Sequence, residues 1–214
     1  MALSDSPSPA PASIDAAKTA LAEIFGFPGF RPGQQAIIEA VLEGCDVLAV
    51  MPTGRGKSLC FQLPAILRGG LTLVISPLIA LMRDQVSALQ ASGVAAAHLT
   101  SADTPEEREA AWESLDQGAL RLLYVSPERL AVPGFAARLS RAGLTMIAVD
   151  EAHCVSQWGH DFRPDYLRIA ELAEAAGPPQ IAAFTATADA AARRDIAGRL
   201  FAEAPAEFVS GFAR

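Results

Sequence analysis

What most limits this chain is a rhythm along it. Short apolar runs of strand length, at 46–51 (DVLAVM), 71–76 (LTLVIS), 94–99 (VAAAHL), 121–126 (RLLYVS), 145–150 (TMIAVD) and 180–185 (QIAAFT), alternate with longer segments of helical period. The runs are apolar at several consecutive positions rather than at every second residue, as strands covered on both faces are, and intervening helices make successive strands parallel. The expected fold class is therefore α/β, a parallel sheet of six strands with helices on both faces, at 34–43, 57–67, 78–90, 105–117, 164–175 and 188–201. Pro105 behind Thr104 marks a first helical position. In such a sheet ligands bind beyond the carboxyl ends of the strands, so function is sought there.

Composition narrows the class. At 214 residues the chain suits one well-cored domain. Residues 1–13 are mostly Ser, Pro and Ala, too poor in apolar surface to offset chain entropy, so a disordered leader is expected, with the domain over 14–214. Seventeen Lys plus Arg against 24 Asp plus Glu give a net charge of −7, which excludes nucleic-acid binding by bulk charge. Among those cations only Lys18 and Lys57 are lysines, which singles out Lys57. Three cysteines are too scattered for a zinc cluster; Cys45 and Cys60 read as small buried residues. The start has no signal-like apolar region, and the apolar stretch 71–82 is broken by Ser76 and Pro77. A cytoplasmic monomer with no membrane span is expected.

Two strand ends carry the strongest chemistry. The first reads MPTGRGKSLCFQ (51–62): a strand running through Thr53 into Gly54, Arg55 and Gly56, then a helix. Glycines let backbone N–H groups turn inward around phosphate oxygens, Lys57 reaches the β/γ-phosphates, and the Ser58 hydroxyl can ligate Mg²⁺. The bland reading is an ordinary strand-to-helix turn. The second end, TMIAVDEAHC (145–154), delivers two adjacent carboxylates. Asp150 suits a Mg²⁺ ligand and Glu151 a base that orients and deprotonates water, or else the pair is a helix cap with a first-turn acid. The 93 residues from Lys57 to Asp150 allow three strand–helix–strand crossovers of about 30 residues each, so the two ends can meet. A Glu beside the metal Asp suits a water nucleophile, which favours an NTPase over a kinase.

Three further segments are candidates. Thr185 and Thr187 end a strand and either relay between the γ-phosphate site and a moving part or, for Thr187, cap the helix beginning near Ala188. The stretch 152–166 packs Trp158, Phe162 and Tyr166 among His153, Gln157, His160, Asp161 and Arg163, a mixture that can stack bases and contact phosphates, or anchor a loop on the core. Upstream, Phe27 and Arg31 can sandwich an adenine while the Gln34 amide reads its edge; a Gly/Pro turn with core phenylalanines is the alternative. His98 has no evident partner.

In this order, FRPGQ, MPTGRGKS, SPLIALMRDQV, DEAHCVSQWGHDFRPDY and TATA resemble the RecQ-family DNA helicases of superfamily 2, over about residues 19–214. The resemblance implies the first RecA-like P-loop lobe of an ATP- and Mg²⁺-dependent enzyme that moves 3′ to 5′ on single-stranded DNA in repair, recombination and replication. It implies adenine recognition by Phe27, Arg31 and Gln34. Phosphate and Mg²⁺ fall to Gly54, Gly56, Lys57, Ser58 and Asp150, with Glu151 activating water and His153 linking the site to its neighbours. Gln157, Trp158, His160, Asp161, Phe162 and Arg163 would couple DNA binding to hydrolysis, and Pro77, Asp84, Gln85 and the turn 126–130 would contact the strand. The 180–185 strand should lie between the phosphate-loop and Asp150 strands. Arg55 and Phe27 depart from a Gly and a Tyr common in that family. The family continues into a second RecA-like lobe with a transition-state arginine, a zinc-binding module and a winged helix, whereas this sequence stops at residue 214. Such a lobe alone is expected to bind nucleotide and hydrolyse it poorly. An RNA helicase and a nucleotide-binding module without motor activity are the competing readings.

Overall fold

The computed structural model describes residues 13–157 and 161–210. They form a parallel seven-stranded sheet of order β3-β4-β2-β5-β6-β1-β7. The strands are β1 (Val47–Val50), β2 (Leu71–Ile75), β3 (Ala96–Leu99), β4 (Leu122–Val125), β5 (Leu144–Val149), β6 (Gln180–Thr185) and β7 (Ala206–Val209). All six expected strands are present. The seventh, β7, was not expected: as a half-buried edge strand beside β1 it turns only Ala206 and Phe208 toward the core, so AEFV lacks an apolar run.

Helices α1 (Ile14–Phe25), α2 (Gln34–Leu42), α3 (Leu59–Arg68) and α4 (Ile79–Ala91) cover one face. Helices α5 (Pro105–Asp116), α6 (Phe135–Arg141), α7 (Arg168–Ala176) and α8 (Ala190–Leu200) cover the other. Strand residues feed the two cores alternately. Leu73, Ile75, Ile147 and Val149 enter one, while Val74, Met146 and Ala148 enter the other. Each such Leu, Ile or Val is worth about 1.5–3 kcal/mol when fully buried, so period-two strands lined on both sides read as unbroken apolar runs.

Several local expectations need correction. Helices α1 and α6 were not expected. Ser13, counted with the leader, caps α1 by accepting from the Ala16 N–H at 3.1 Å, and residues 1–12 lie outside those described. The seven residues of α6 are too short to show a period. Thr104 caps α5 reciprocally with Glu107, as Pro105 indicated. Thr187 does not cap α8; the Asp189 carboxylate does, accepting from Ala192 N–H at 2.8 Å. Cys60 is buried, its thiol pushed up to about 12 by that burial, but Cys45 sits exposed in the α2–β1 turn. His98 does have a neighbour, with Nδ1 3.0 Å from Asp103 Oδ1. Among the described residues no helix is long and apolar enough to cross a membrane.

Strand β6 lies between β1 and β5, as the resemblance implied. Their carboxyl tips are therefore two strand spacings apart, about 10 Å, with Thr185 between them.

Candidate active site

The phosphate loop runs from Met51, whose N–H donates to Thr185 O at 2.9 Å, to Ser58, which is already helical (φ −57°, ψ −36°) ahead of α3. The N-terminus of α3, with Ser58 half-buried and Leu59 and Cys60 buried, thus stands behind the loop with its positive dipole end toward it. Gly54 and Gly56 have φ of 78° and 76°, for different ends. A Cβ at 54 would meet nothing within 4 Å, whereas one at 56 would stand 2.5 Å from Gln34 Nε2. Thr53, Gly54 and Arg55 are exposed.

Gln34 departs from its expected role. It is 2% exposed; Oε1 accepts from Arg31 N–H at 2.7 Å, and Nε2 donates to the carbonyls of Arg55 and Gly56, both at 3.1 Å. The amide is a clamp on the phosphate loop rather than an open edge for a base, since a buried amide left unpaired would be costly. The Arg31 guanidinium donates to Gly54 O. Phe27, 47% exposed, is held by the turn that ends α1, where its N–H donates to Leu21 O at 3.3 Å. Phe27, Arg31, Gln34, Gly56 and Leu59 border a cavity of about 310 Å³. That is the size of a small ligand site.

Across β6 the carboxylates meet Lys57. Its Nζ donates to Glu151 Oε1 at 3.2 Å, with the two side chains only 11% and 18% exposed. Asp150, 7% exposed, accepts from Ser76 Oγ at 3.2 Å and from Glu151 N–H at 3.0 Å. Burial first and the Glu151 charge second raise its proton affinity, against the pull of Lys57. A hydrogen bond from His153 is the leading cause that holds the Glu151 carboxyl below its usual range. Glu151 is also the one non-glycine with positive φ among the described residues (48°), a conformation costing about 1–3 kcal/mol of the kind found at functional sites. Contacts with the Cys154 sulfur and then Glu151 lift the His153 imidazole to about 10, so it is protonated at neutral pH. Its Nδ1 lies 3.0 Å from Thr185 Oγ1 and 3.3 Å from Glu151 Oε2, and the Thr185 hydroxyl donates to Thr187 O at 3.1 Å. Lys57, Glu151, His153 and Thr185 thus form one polar chain over the tips of β1, β5 and β6. Asp150 and Ser58 offer a carboxylate and a hydroxyl, the hard oxygen donors that suit Mg²⁺, and a buried carboxylate next to another is where a cation is most stabilising.

A profile of the DEAD/DEAH box helicase family matches residues 31–196. The chain belongs to that family. It is 47% identical over 191 residues to the ATP-dependent DNA helicase RecQ of Pasteurella multocida, covering 89% of this chain and 30% of the relative. It is also 47% identical over 198 residues to RecQ of Haemophilus influenzae, covering 92% and 32%. The chain therefore spans about a third of the length of these relatives. Among solved structures, the Mycobacterium smegmatis helicase Lhr superposes with a TM-score of 0.67 at 22% identity, over 89% of this chain and 27% of that one. The Pyrococcus furiosus Hef helicase domain gives 0.62 at 22%, over 83% and 37%. At such identity these two show a shared fold, that of RecA-like helicase domains.

In this helicase domain the residues implied for the DNA side part company. Pro77 is half-buried after β2 and Asp84 is exposed on α4, but the Gln85 amide turns inward and donates to Ser58 Oγ at 3.1 Å. In the 126–130 turn, Arg129 donates to Thr100 O at 3.0 Å. Trp158 and His160 lie outside the described residues. Gln157 is exposed, Phe162 half-buried, and Arg163 pairs with Asp161 at 3.3 Å. Tyr166 is no stacking platform: it is fully buried and its hydroxyl donates to Asp150 O at 3.0 Å, bracing the metal-ligand candidate from below. The ligand-type atoms of His153, Cys154 and Asp161 lie within 4.8 Å of one another, with the Arg163–Asp161 pair beside them.

Sequence reasoning missed Ser76, Gln62 and Asp195. Asp195 on α8 accepts from Ser156 Oγ at 2.8 Å and Gln157 N–H at 3.2 Å, anchoring the start of the 157–163 segment. Spaced four residues from Arg199, it reads as an ordinary helix-surface pair. Ser76 carried a usable signal, a hydroxyl ending a mostly apolar run on the edge where a ligand is expected.

Proposed function

We infer that this chain is the first, nucleotide-binding motor lobe of a RecQ-type DNA helicase, coupling ATP hydrolysis to 3′-to-5′ movement and unwinding in repair and recombination. The carrying observation is the half-buried Lys57–Glu151 pair at 3.2 Å, which sets the phosphate-loop ammonium against the Asp150–Glu151 carboxylates across β6. Lys57 cannot serve a carboxylate and a triphosphate equally. Nucleotide binding would draw its ammonium to the β/γ-phosphates, leaving Glu151 held by His153 as an ionised base beside the attacking water. Asp150 and Ser58 would hold Mg²⁺, which when bound neutralises phosphate charge and acts as a Lewis acid. Gly54, Gly56 and the α3 N-terminus supply backbone N–H groups, and Phe27 with Arg31 borders the base side. The His153–Thr185–Thr187 chain would carry the state of the γ-phosphate toward a second lobe, whose closure would complete the site.

The names of the relatives support DNA as the nucleic acid. The expected setting is a monomer in the cytoplasm. With a net charge of −7 this lobe should hold DNA weakly and lose it steeply with added salt, because few phosphates are neutralised. Without a trans-acting arginine, worth about 10³–10⁵ in related systems, turnover by this chain should be slow. The test is Mg-ATP binding and turnover by the 214-residue chain with single-stranded oligodeoxynucleotide or oligoribonucleotide. Saturable Mg-ATP binding with weak turnover favoured by DNA is expected. No saturable binding, stimulation by RNA alone, or DNA-stimulated turnover above about 1 s⁻¹ would overturn the reading.

A further inference from the structure

Behind the phosphate loop lies a part-buried hydrogen-bond chain whose inner members, Gln62, Gln85 and Tyr124, the nucleotide-site argument does not use. Ser58 and Gln62 are four residues apart and so share one face of α3 and its N-terminal turn. Gln62, 7% exposed, spends its two amide N–H groups on Tyr124 OH at 2.8 Å and on Gln85 Oε1 at 3.3 Å. With its oxygen occupied by Gln62, the Gln85 amide presents its nitrogen to Ser58 Oγ, donating at 3.1 Å. Tyr124 is 1% exposed on β4, and burial pushes its phenol well above the ordinary value, so it remains a neutral, fixed partner. Donation therefore starts at Gln62, which gives one N–H to Tyr124 OH and the other to Gln85, and Gln85 in turn gives its own N–H to Ser58 Oγ.

A serine hydroxyl has two acceptor lone pairs and one proton. With Gln85 donating into one lone pair, the second and the proton are left for the nucleotide side, so the hydroxyl is pre-oriented for a hard cation, which binds well only at near-ideal geometry. Gln85 stands on α4 next to exposed Asp84, and Tyr124 stands on the strand that leads into the 126–130 turn. A shift of α4 would be felt at Ser58 directly through Gln85, and one of β4 through Tyr124, Gln62 and Gln85 in turn.

We propose that Gln85, oriented by Gln62 and Tyr124, is a positioning residue for the Ser58 hydroxyl, and that this chain ties the placement of α4 and β4 to Mg²⁺-dependent nucleotide binding. The proposal rests on the nucleotide site inferred above and adds its control from the opposite side of the loop. Neither Gln85 nor Tyr124 is required to touch ATP.

The test compares affinity for ATP in excess Mg²⁺ and in EDTA, for the wild-type chain, Gln85→Met and Tyr124→Phe, with the melting temperature of each. Gln85→Met should weaken binding in Mg²⁺ about 5- to 10-fold, the cost of one lost orienting hydrogen bond, and leave the EDTA affinity within twofold. Tyr124→Phe, which keeps the ring and removes the hydroxyl, should shift the same Mg²⁺ term by about two- to threefold. A merely structural role would lower both affinities together along with the melting temperature. Equal losses with and without Mg²⁺, no loss, or tighter Mg²⁺-dependent binding by Gln85→Met would each overturn the proposal. Failure of the wild-type chain to bind ATP in either condition would instead overturn the nucleotide site itself.

Discussion

The two halves of the proposed nucleotide site hold their groups in opposite ways. On the 51–58 side the working groups are backbone N–H groups, kept in place by left-handed glycines and by side chains, Gln34 and Arg31, that grip the loop's own carbonyls. On the 150–163 side the working groups are side chains, kept in place by others: Ser76 on Asp150, His153 on Glu151, Tyr166 beneath the strand tip, Asp195 on the following turn. A backbone cradle is spoiled by any added Cβ, whereas a side-chain constellation loses its members one hydrogen bond at a time. Strain follows the same division, since the second half places a non-glycine residue, Glu151, at φ 48°.

The sharpest break in that comparison is Lys57, which belongs to both halves. Lys57→Ala should weaken Mg-ATP binding on the order of 10²-fold in calorimetry, since charge-assisted hydrogen bonds to phosphate are lost. A change below threefold would mean that the ammonium does not face the triphosphate. The glycines come next. Gly56→Ala combines an unfavourable φ with a Cβ 2.5 Å from Gln34 Nε2, while Gly54→Ala has only the φ to contend with. We expect losses of about 2–3 kcal/mol for the former and about 1 kcal/mol for the latter in urea denaturation. Equal losses would deny the Gln34 clamp any part in loop stability.

Smaller effects are expected on the side-chain half. Tyr166→Phe should cost about 1 kcal/mol, because the ring stays buried and only the hydrogen bond to the Asp150 carbonyl goes. Asp195→Asn should cost about 0.5–1 kcal/mol at neutral pH. Burial works to raise the Asp195 carboxyl, but hydrogen bonds led by Arg199 and Ser156 outweigh it and hold the group below its ordinary 3.8. A depressed folded value means that the stabilisation is complete above the unfolded value and disappears as pH falls through the folded one. The gap between wild type and Asp195→Asn should therefore be constant near neutrality and close below about pH 3.8; a gap that widens in acid would contradict this.

Legibility in the sequence tracked how local each interaction is. The strand–turn–helix unit at 51–58 was readable because strand, glycines, Lys57, Ser58 and helix are consecutive, and the strand-end placement of Asp150 and Glu151 because an apolar strand announces its polar tip. Strand β7 escaped because an edge strand needs only two inward residues, and α6 because seven residues span two turns. Gln34 and Tyr166 had a ligand-facing reading beside a bland one because polar and aromatic residues near a site look alike in sequence, wherever their side chains point, and Gln85 had its DNA-side role from the resemblance alone. Distant neighbours turned all three side chains toward the protein.

The sequence by itself determined the layer architecture and the motifs at its strand ends, because apolar periodicity and contiguous motifs are properties of neighbours along the chain. Only the tertiary structure decided the partners: Lys57 with Glu151, Gln34 with the loop carbonyls, Gln85 with Ser58, Tyr166 with Asp150. These pairs lie 16 to 94 residues apart in the chain. Whether a polar group faces a ligand or another residue depends on which strand order the crossovers bring together, and no local pattern encodes that order.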